Sequence, residues 1–149
     1  MTMTDGNTSS FTSVHFVGIG GAGMSGIAHV LHERGRRVTG SDLKASSYVR
    51  DLADAGVEVH IGHRASTIDE TAPDLVVTSS AVPEDNPEVI RARELNIPVW
   101  PRAKMLWALS KGSTTIAVAG THGKTTTSSM VATICQRSEE RRVGKECRS

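Results

Sequence analysis

Short β-branched runs alternate with helix-spaced apolar positions through most of this chain. Val14 to Ile19 reads as a first strand, and after it Met24, Ile27, Ala28 and Leu31 recur at the spacing of one apolar helix face. Gly35 is placed to end that helix. Arg37 to Thr39 predicts a second strand, residues 47–55 a helix closed by Gly56, and the alternation of Val57, Val59 and Ile61 a third strand. Leu75 to Thr78 is compact and apolar enough for a fourth. Asn86 suits the cap of a helix starting at Pro87, whose missing N–H would have had no partner in any case. Ile97 to Trp100 predicts a fifth strand, and residues 102–110 a short helix with Met105, Leu106 and Leu109 inward. Beyond a linker at Lys111-Gly112-Ser113, Thr114 to Ala119 and Lys124 to Cys135 repeat strand then helix. This alternation builds an α/β fold, a parallel sheet with helices on its faces.

Composition divides the chain into a polar leader (1–13), a patterned body (14–110), a second patterned stretch (111–136) and a charged tail (137–149). A length of 149 residues suits one domain, or one and part of another, and excludes a complete multidomain enzyme. With 17 Lys and Arg against 16 Asp and Glu, the net charge of +1 gives no global pull toward nucleic acid or an acidic membrane surface. Neither partner is expected. Only Cys135 and Cys147 could pair, no apolar run is long enough to span a bilayer, and MTMTDGNTSS lacks the basic start of a signal peptide. A cytoplasmic protein is the expectation. The tail, RSEERRVGKECRS, has five basic and three acidic residues and no apolar face. It reads as foreign sequence joined near Gln136, the alternative being a solvated helix end.

Two glycine loops carry the chemistry. Gly18-Ile19-Gly20-Gly21-Ala22-Gly23 fits G-x-G-x-x-G between a predicted strand and a predicted helix, where backbone N–H groups and the helix dipole attract phosphate. Asp42 ends the second strand, where a ribose-contacting acid is expected, so a bound nucleotide diphosphate explains both features. A packing turn with a solvated aspartate is the bland alternative. Gly120-Thr121-His122-Gly123-Lys124-Thr125-Thr126 again lies between strand and helix, and supplies backbone donors, an ammonium for terminal phosphates and a hydroxyl for Mg²⁺. It is shorter than G-x-x-x-x-G-K-[ST], because Val118 stands where that pattern has its first glycine.

Both loops in one chain resemble the Mur ligases. The resemblance covers residues 14 to about 136. It rests on Val14-His15-Phe16-Val17-Gly18-Ile19-Gly20-Gly21-Ala22-Gly23-Met24, Gly40-Ser41-Asp42, Ser79-Ser80-Ala81, Asp85-Asn86-Pro87 and Ala119-Gly120-Thr121-His122-Gly123-Lys124-Thr125-Thr126-Thr127. His122 points to members that join L-alanine to UDP-N-acetylmuramate; the murein tripeptide-recycling members share Thr-His-Gly-Lys-Thr but typically differ in the first loop. The resemblance implies a Rossmann-like UDP-sugar domain followed by the truncated start of a P-loop ATPase domain. In that scheme Gly18, Gly20, Gly21, Ala22 and Gly23 cradle the UDP pyrophosphate, and Ser41, Asp42, Ser80 and Asn86 are further contacts to uridine or sugar. Gly120 to Thr126 would hold ATP, with Lys124 on the β- and γ-phosphates and Thr125 on Mg²⁺. The implied activity is ATP-dependent ligation of L-alanine to UDP-N-acetylmuramate.

Two other functions compete. A nicotinamide-dependent oxidoreductase would use Gly18 to Gly23 and Asp42 but leaves Gly120 to Thr126 without a purpose; a non-catalytic nucleotide-binding module would need the tail to be native. His63-Arg64 follows the third strand, where a loop would face the ligand crevice, or it is a solvated pair. Trp100 and Trp107 are expected to pack helix against sheet, Cys135 to be a buried thiol, and Arg34, Arg36 and Arg37 to favour a helix dipole.

Overall fold

The computed structural model describes residues 11–111 and 113–146, with side chains as far as Arg137. Most of the polar leader, Gly112 of the linker, and Cys147 with the end of the tail lie outside the described residues. The chain divides between Ser113 and Thr114 into two compact units.

The first unit alternates β1 (Ser13–Val17), α1 (Ala22–Glu33), β2 (Arg37–Asp42), α2 (Ser47–Asp54), β3 (Glu58–Ile61), α3 (Ala65–Thr71), β4 (Leu75–Thr78), α4 (Pro87–Glu94), β5 (Val99–Pro101) and α5 (Arg102–Ser110). The five strands are parallel, in the order β3-β2-β1-β4-β5. After β3 the chain returns to the other side of β1, so the order reverses between β1 and β4. Ligand crevices of open α/β sheets lie outside the carboxyl ends of strands at such a point.

Alternation along the strands feeds two cores. Val14 and Phe16 of β1, Val38 of β2, and Leu75 and Val77 of β4 pack with Met24, Ile27, Ala28 and Leu31 of α1 and with Met105, Ala108 and Leu109 of α5. The opposite face has a smaller apolar cluster of Val17, Ile68, Val76 and Ala92. Beside it the same face buries polar groups: His15 of β1, Thr39 and Ser41 of β2, and Glu88 of α4.

Local signals hold where they have a mechanism. Asn86 Oδ1 accepts the N–H groups of Glu88 and Val89 and caps α4, with Pro87 at its first position. Gly35 and Gly56 follow α1 and α2 at φ of +74° and +93°. Other expectations are corrected. β1 stops at Val17 rather than Ile19, because Gly18 turns out of the strand at φ +79°. β2 runs on to Asp42, since Gly40 to Asp42 find partners on β3. The helix α3 was not expected. On α5 the inward residues are Met105, Ala108 and Leu109, at helical spacing, and Leu106 is exposed. Trp100 is buried and meets Phe11 edge-on, whereas Trp107 is exposed with the Lys111 ammonium over its ring.

The second unit holds α6 (Lys124–Glu146). The strand expected from Thr114 to Ala119 is not formed. Its backbone has no neighbouring strand among the described residues, and a single extended segment cannot satisfy its own N–H and C=O groups. Cys135 is exposed rather than buried, as are Met130 and Ile134, because no sheet lies under the apolar side of this helix among the unit's described residues.

Candidate functional site

A cleft of about 330 Å³ opens at the carboxyl ends of the strands, where the strand order reverses. Gly18 and Gly21 border it after β1, Asp42 and Leu43 after β2, His63 after β3, and Ser79, Ala81, Val82 and Pro83 after β4; Asn86 closes one side.

The first glycine loop is pinned from both sides. The N–H groups of Gly18 and Ile19 donate to Ser41 O at 2.8 and 3.0 Å, and Gly20 N–H donates to Asp42 Oδ2 at 2.9 Å. A Cβ at Gly20 would lie 2.8 Å from Val49 Cγ2, and 2.9 Å from both Asp42 Oδ2 and Ser46 Oγ. Glycine is therefore what lets the loop press onto β2 and α2. Gly21 is the N-cap of α1 and brings no side-chain cap, so Ala22 and Gly23 present the unpaired N–H groups of a helix start. The Arg102 guanidinium rests over Gly23, where a Cβ would stand 2.5 Å from Nη1. That adds a positive charge beside the helix N-terminus, an arrangement favouring an anion. Nothing in the sequence marked Arg102, because its position depends on β5 lying next to β4.

The predicted contacts separate into those at the cleft and those beneath it. Gly18, Gly21, Asp42 and Asn86 line it. Asp42 spends each carboxylate oxygen on a backbone N–H, Oδ2 on Gly20 and Oδ1 on Lys44, so its first task is to hold the loop. Ser80 is exposed in the turn after β4, and its neighbour Ser79 is the one at the cleft. Ser41 is fully buried and cannot touch a ligand in the cleft. Its hydroxyl donates to Glu88 Oε2 at 2.5 Å and lies 2.8 Å from His63 Nδ1.

Glu88, also fully buried, collects the donors below the floor. It receives Ser41 Oγ–H, Arg64 N–H at 3.3 Å from Oε1, and has His63 Nδ1 at 3.3 Å and His15 Nε2 at 3.7 Å from Oε2. Burial alone would push the carboxyl up, but the His15 ring, the Ser41 hydroxyl and the Arg64 N–H together hold it below its usual range. His15 Nδ1 is in turn 2.8 Å from Thr39 Oγ1. Of this group Ser41 and His63-Arg64 were singled out from sequence, and Glu88 and Thr39 were not. A histidine inside an apolar strand run and a glutamate in the first turn of α4 were the available signals.

The second loop belongs to the second unit. Lys124 Nζ donates to Gly120 O at 2.5 Å and Thr121 O at 3.5 Å, while Thr127 N–H returns to Gly123 O at 3.0 Å and starts α6. Gly120, Thr121, His122, Gly123, Lys124, Thr125 and Thr126 are all exposed. An ammonium, hydroxyls and a helix N-terminus on one loop fit a phosphate chain. For a divalent cation the loop offers the Thr125 hydroxyl, and no three His, Cys, Asp or Glu side chains group as ligands among the described residues. No described helix is long and apolar enough to cross a membrane.

The profile of the "Mur ligase family, catalytic domain" matches residues 13–114. The chain is 59% identical over 121 residues to a UDP-N-acetylmuramate--L-alanine ligase of Geotalea daltonii, covering 81% of this chain and 26% of that protein. The corresponding ligase of Rubrobacter xylanophilus is 57% identical over 119 residues, covering 80% and 26%. The chain thus spans about a quarter of the length of the curated relatives it matches. Among solved structures, UDP-N-acetylmuramate-alanine ligase from Thermotoga maritima superposes with a TM-score of 0.63 at 35% identity, over 66% of this chain and 23% of that one. A murein peptide ligase from Psychrobacter arcticus gives 0.72 at 32% identity, over 80% and 25%. A family profile spanning the whole five-stranded sheet, together with these identities, places the chain in the Mur ligase family.

Proposed function

We propose that this chain is the nucleotide-sugar-binding part, with the ATP loop that starts the central domain, of a ligase that joins L-alanine to UDP-N-acetylmuramate in peptidoglycan synthesis. The observation that carries the reading is the cleft at the reversal of strand order, bounded by the Gly18 to Gly23 loop, in a chain 57–59% identical to ligases of that name. Gly18, Gly20, Gly21, Ala22 and Gly23 form the pyrophosphate cradle, Arg102 adds charge beside it, and Asn86 borders the uridine or sugar side. Ser41 and Asp42 serve that site by holding its floor and loop. The oxidoreductase reading is not favoured, since the curated relatives at 57–59% identity are ligases.

The chemistry needs both loops. A carboxylate is a poor electrophile, so one oxygen of the sugar's lactyl carboxylate takes the γ-phosphoryl group of ATP, and ADP leaves. The amine of alanine then bonds to the acyl carbon, and phosphate departs with the carboxylate oxygen. Several negative groups meet in the first step, and Lys124 with the loop's N–H groups lowers its barrier by positioning and charge. The Thr125 hydroxyl would hold Mg²⁺, which neutralises phosphate charge when bound.

Calorimetric titration tests the reading. UDP and UDP-N-acetylmuramate are expected to bind this chain saturably, NADH is not expected to compete, and alanine is not expected to stimulate ATP hydrolysis in a quarter-length chain. NADH binding unaffected by UDP would overturn the nucleotide-sugar assignment, and alanine-dependent ATP hydrolysis would overturn the division of labour. Asp42→Ala removes the acceptor of Gly20 N–H, and a charge-assisted bond of that kind is worth about 1.5–3 kcal/mol. UDP affinity should therefore fall about tenfold or more. Unchanged affinity in a folded variant would show that the loop keeps its shape without Asp42.

A further inference from the structure

The polar group beneath the cleft fixes more than the position of its members. Ser41 has one hydroxyl proton, and it goes to Glu88 Oε2. Toward His63 Nδ1, 2.8 Å away, the Ser41 oxygen can then only accept, and the Glu88 carboxylate at 3.3 Å accepts as well. Two acceptors face Nδ1, so Nδ1 carries a proton. The carboxylate is kept ionised by the same donors that surround it. His63 is 13% exposed and lines the cleft, and Nε2 meets no protein partner among the described residues. In the neutral ring, Nε2 is therefore the unprotonated nitrogen.

We propose that Ser41 and Glu88 lock His63 in its Nδ1–H tautomer, so that Nε2 enters the cleft as an acceptor and selects a base that donates there. On the nucleotide reading above, on which this role rests, Nε2 accepts the imide N–H of a uracil ring. Cytosine has a lone pair at that ring position and would oppose the lone pair of Nε2. His63 thus becomes a specificity-determining residue, and Ser41 and Glu88 its positioning residues. A site built to pair one donor leaves its own group unsatisfied when the donor is missing, and discrimination follows from that cost.

Two measurements on the 149-residue chain decide it. Long-range ¹H–¹⁵N correlation of the wild-type chain at alkaline pH should show His63 with a protonated Nδ1 and a pyridine-type Nε2. The opposite assignment overturns the lock without requiring any variant. Glu88→Gln can donate its amide to Ser41, whose proton is then released toward Nδ1, so this variant should lose the Nδ1–H signature; a folded variant that keeps it also overturns the lock. In parallel, UDP should bind the wild type about tenfold or more tighter than CDP, and His63→Ala should bring the ratio to about one through loss of UDP affinity. Equal binding of UDP and CDP to the wild type, or a ratio unmoved by His63→Ala, overturns the selection and leaves the nucleotide site standing. Failure of both to bind overturns the nucleotide site and the selection together, while the nitrogen assignment still judges the lock.

Discussion

Gly40→Ala is expected to destabilise the first unit by about 3 kcal/mol or more, near the upper end of the usual cost of overpacking. Gly40 lies on β2 opposite Phe16, and a Cβ there would stand 2.5 Å from Ile19 Cδ1, 2.8 Å from Ile19 Cβ and 2.9 Å from the backbone oxygen of Phe16. The carbonyl belongs to the central strand and cannot retreat without breaking the ladder. Ile19 is fully buried, and its own N–H is tied to Ser41 O, so moving its side chain drags the phosphate loop. Stability and UDP affinity should fall together. In a thermal melt the loss corresponds to about 12 °C or more for a domain of this size. Gly26→Ala is the matched control: it lies on α1 with nothing within 4 Å of an added Cβ, and should gain about 0.5–1 kcal/mol from helix propensity. A Gly40→Ala protein melting within a few degrees of wild type would mean that the loop yields freely, and the pinning described above would be wrong.

That contrast also marks what could be read from the sequence. Elements with a local cause were legible: Met24, Ile27, Ala28 and Leu31 share one face of α1, Asn86 and Pro87 open α4, and Leu75 to Thr78 forms β4 with the expected bounds. Strand ends were less so, because they depend on partners. β2 reaches Asp42 only because β3 lies beside it, and Thr114 to Ala119 forms no strand because no neighbouring strand pairs with it among the described residues. The glycine loop was visible as a pattern, but the reason for each glycine was not. Gly20 and Gly23 answer to Asp42, Ser46, Val49 and Arg102, residues brought there by the folded sheet. The same holds for Ser41, which the resemblance to the Mur ligases implied as a ligand contact and which the fold makes a buried link between His63 and Glu88. Sequence separation of 22 and 47 residues hides such a link from any local pattern.

Glu88→Ala is expected to cost about 3–5 kcal/mol, the range found when one partner of a buried ionic cluster is removed. The carboxylate is the common acceptor for the Ser41 hydroxyl, the Arg64 N–H and the His63 ring, all gathered at a side chain with no exposed surface. It also places negative charge in the first turn of α4, where the helix dipole favours it. Glu88→Gln keeps the volume and should lose less, and it separates the charge from the shape. The pH dependence follows from the direction of the shift. Glu88 is held below its ordinary 4.5 in the folded chain, so its stabilising contribution is complete above that pH and disappears as the pH falls through the lower folded value. Asp74 behaves alike from 3.8 downward, because the Thr12 hydroxyl and the N–H groups of Thr12 and Ser13 bind its ionised form. Denaturant unfolding of the wild type should therefore weaken on acidification from about pH 4.5, through both carboxylates. Glu88→Gln should start from a lower stability at neutral pH and weaken more shallowly, retaining the Asp74 part of the slope. Parallel acid slopes in the two proteins would mean that Glu88 binds its proton alike in the folded and unfolded chain, and the lowering of its folded value would be wrong.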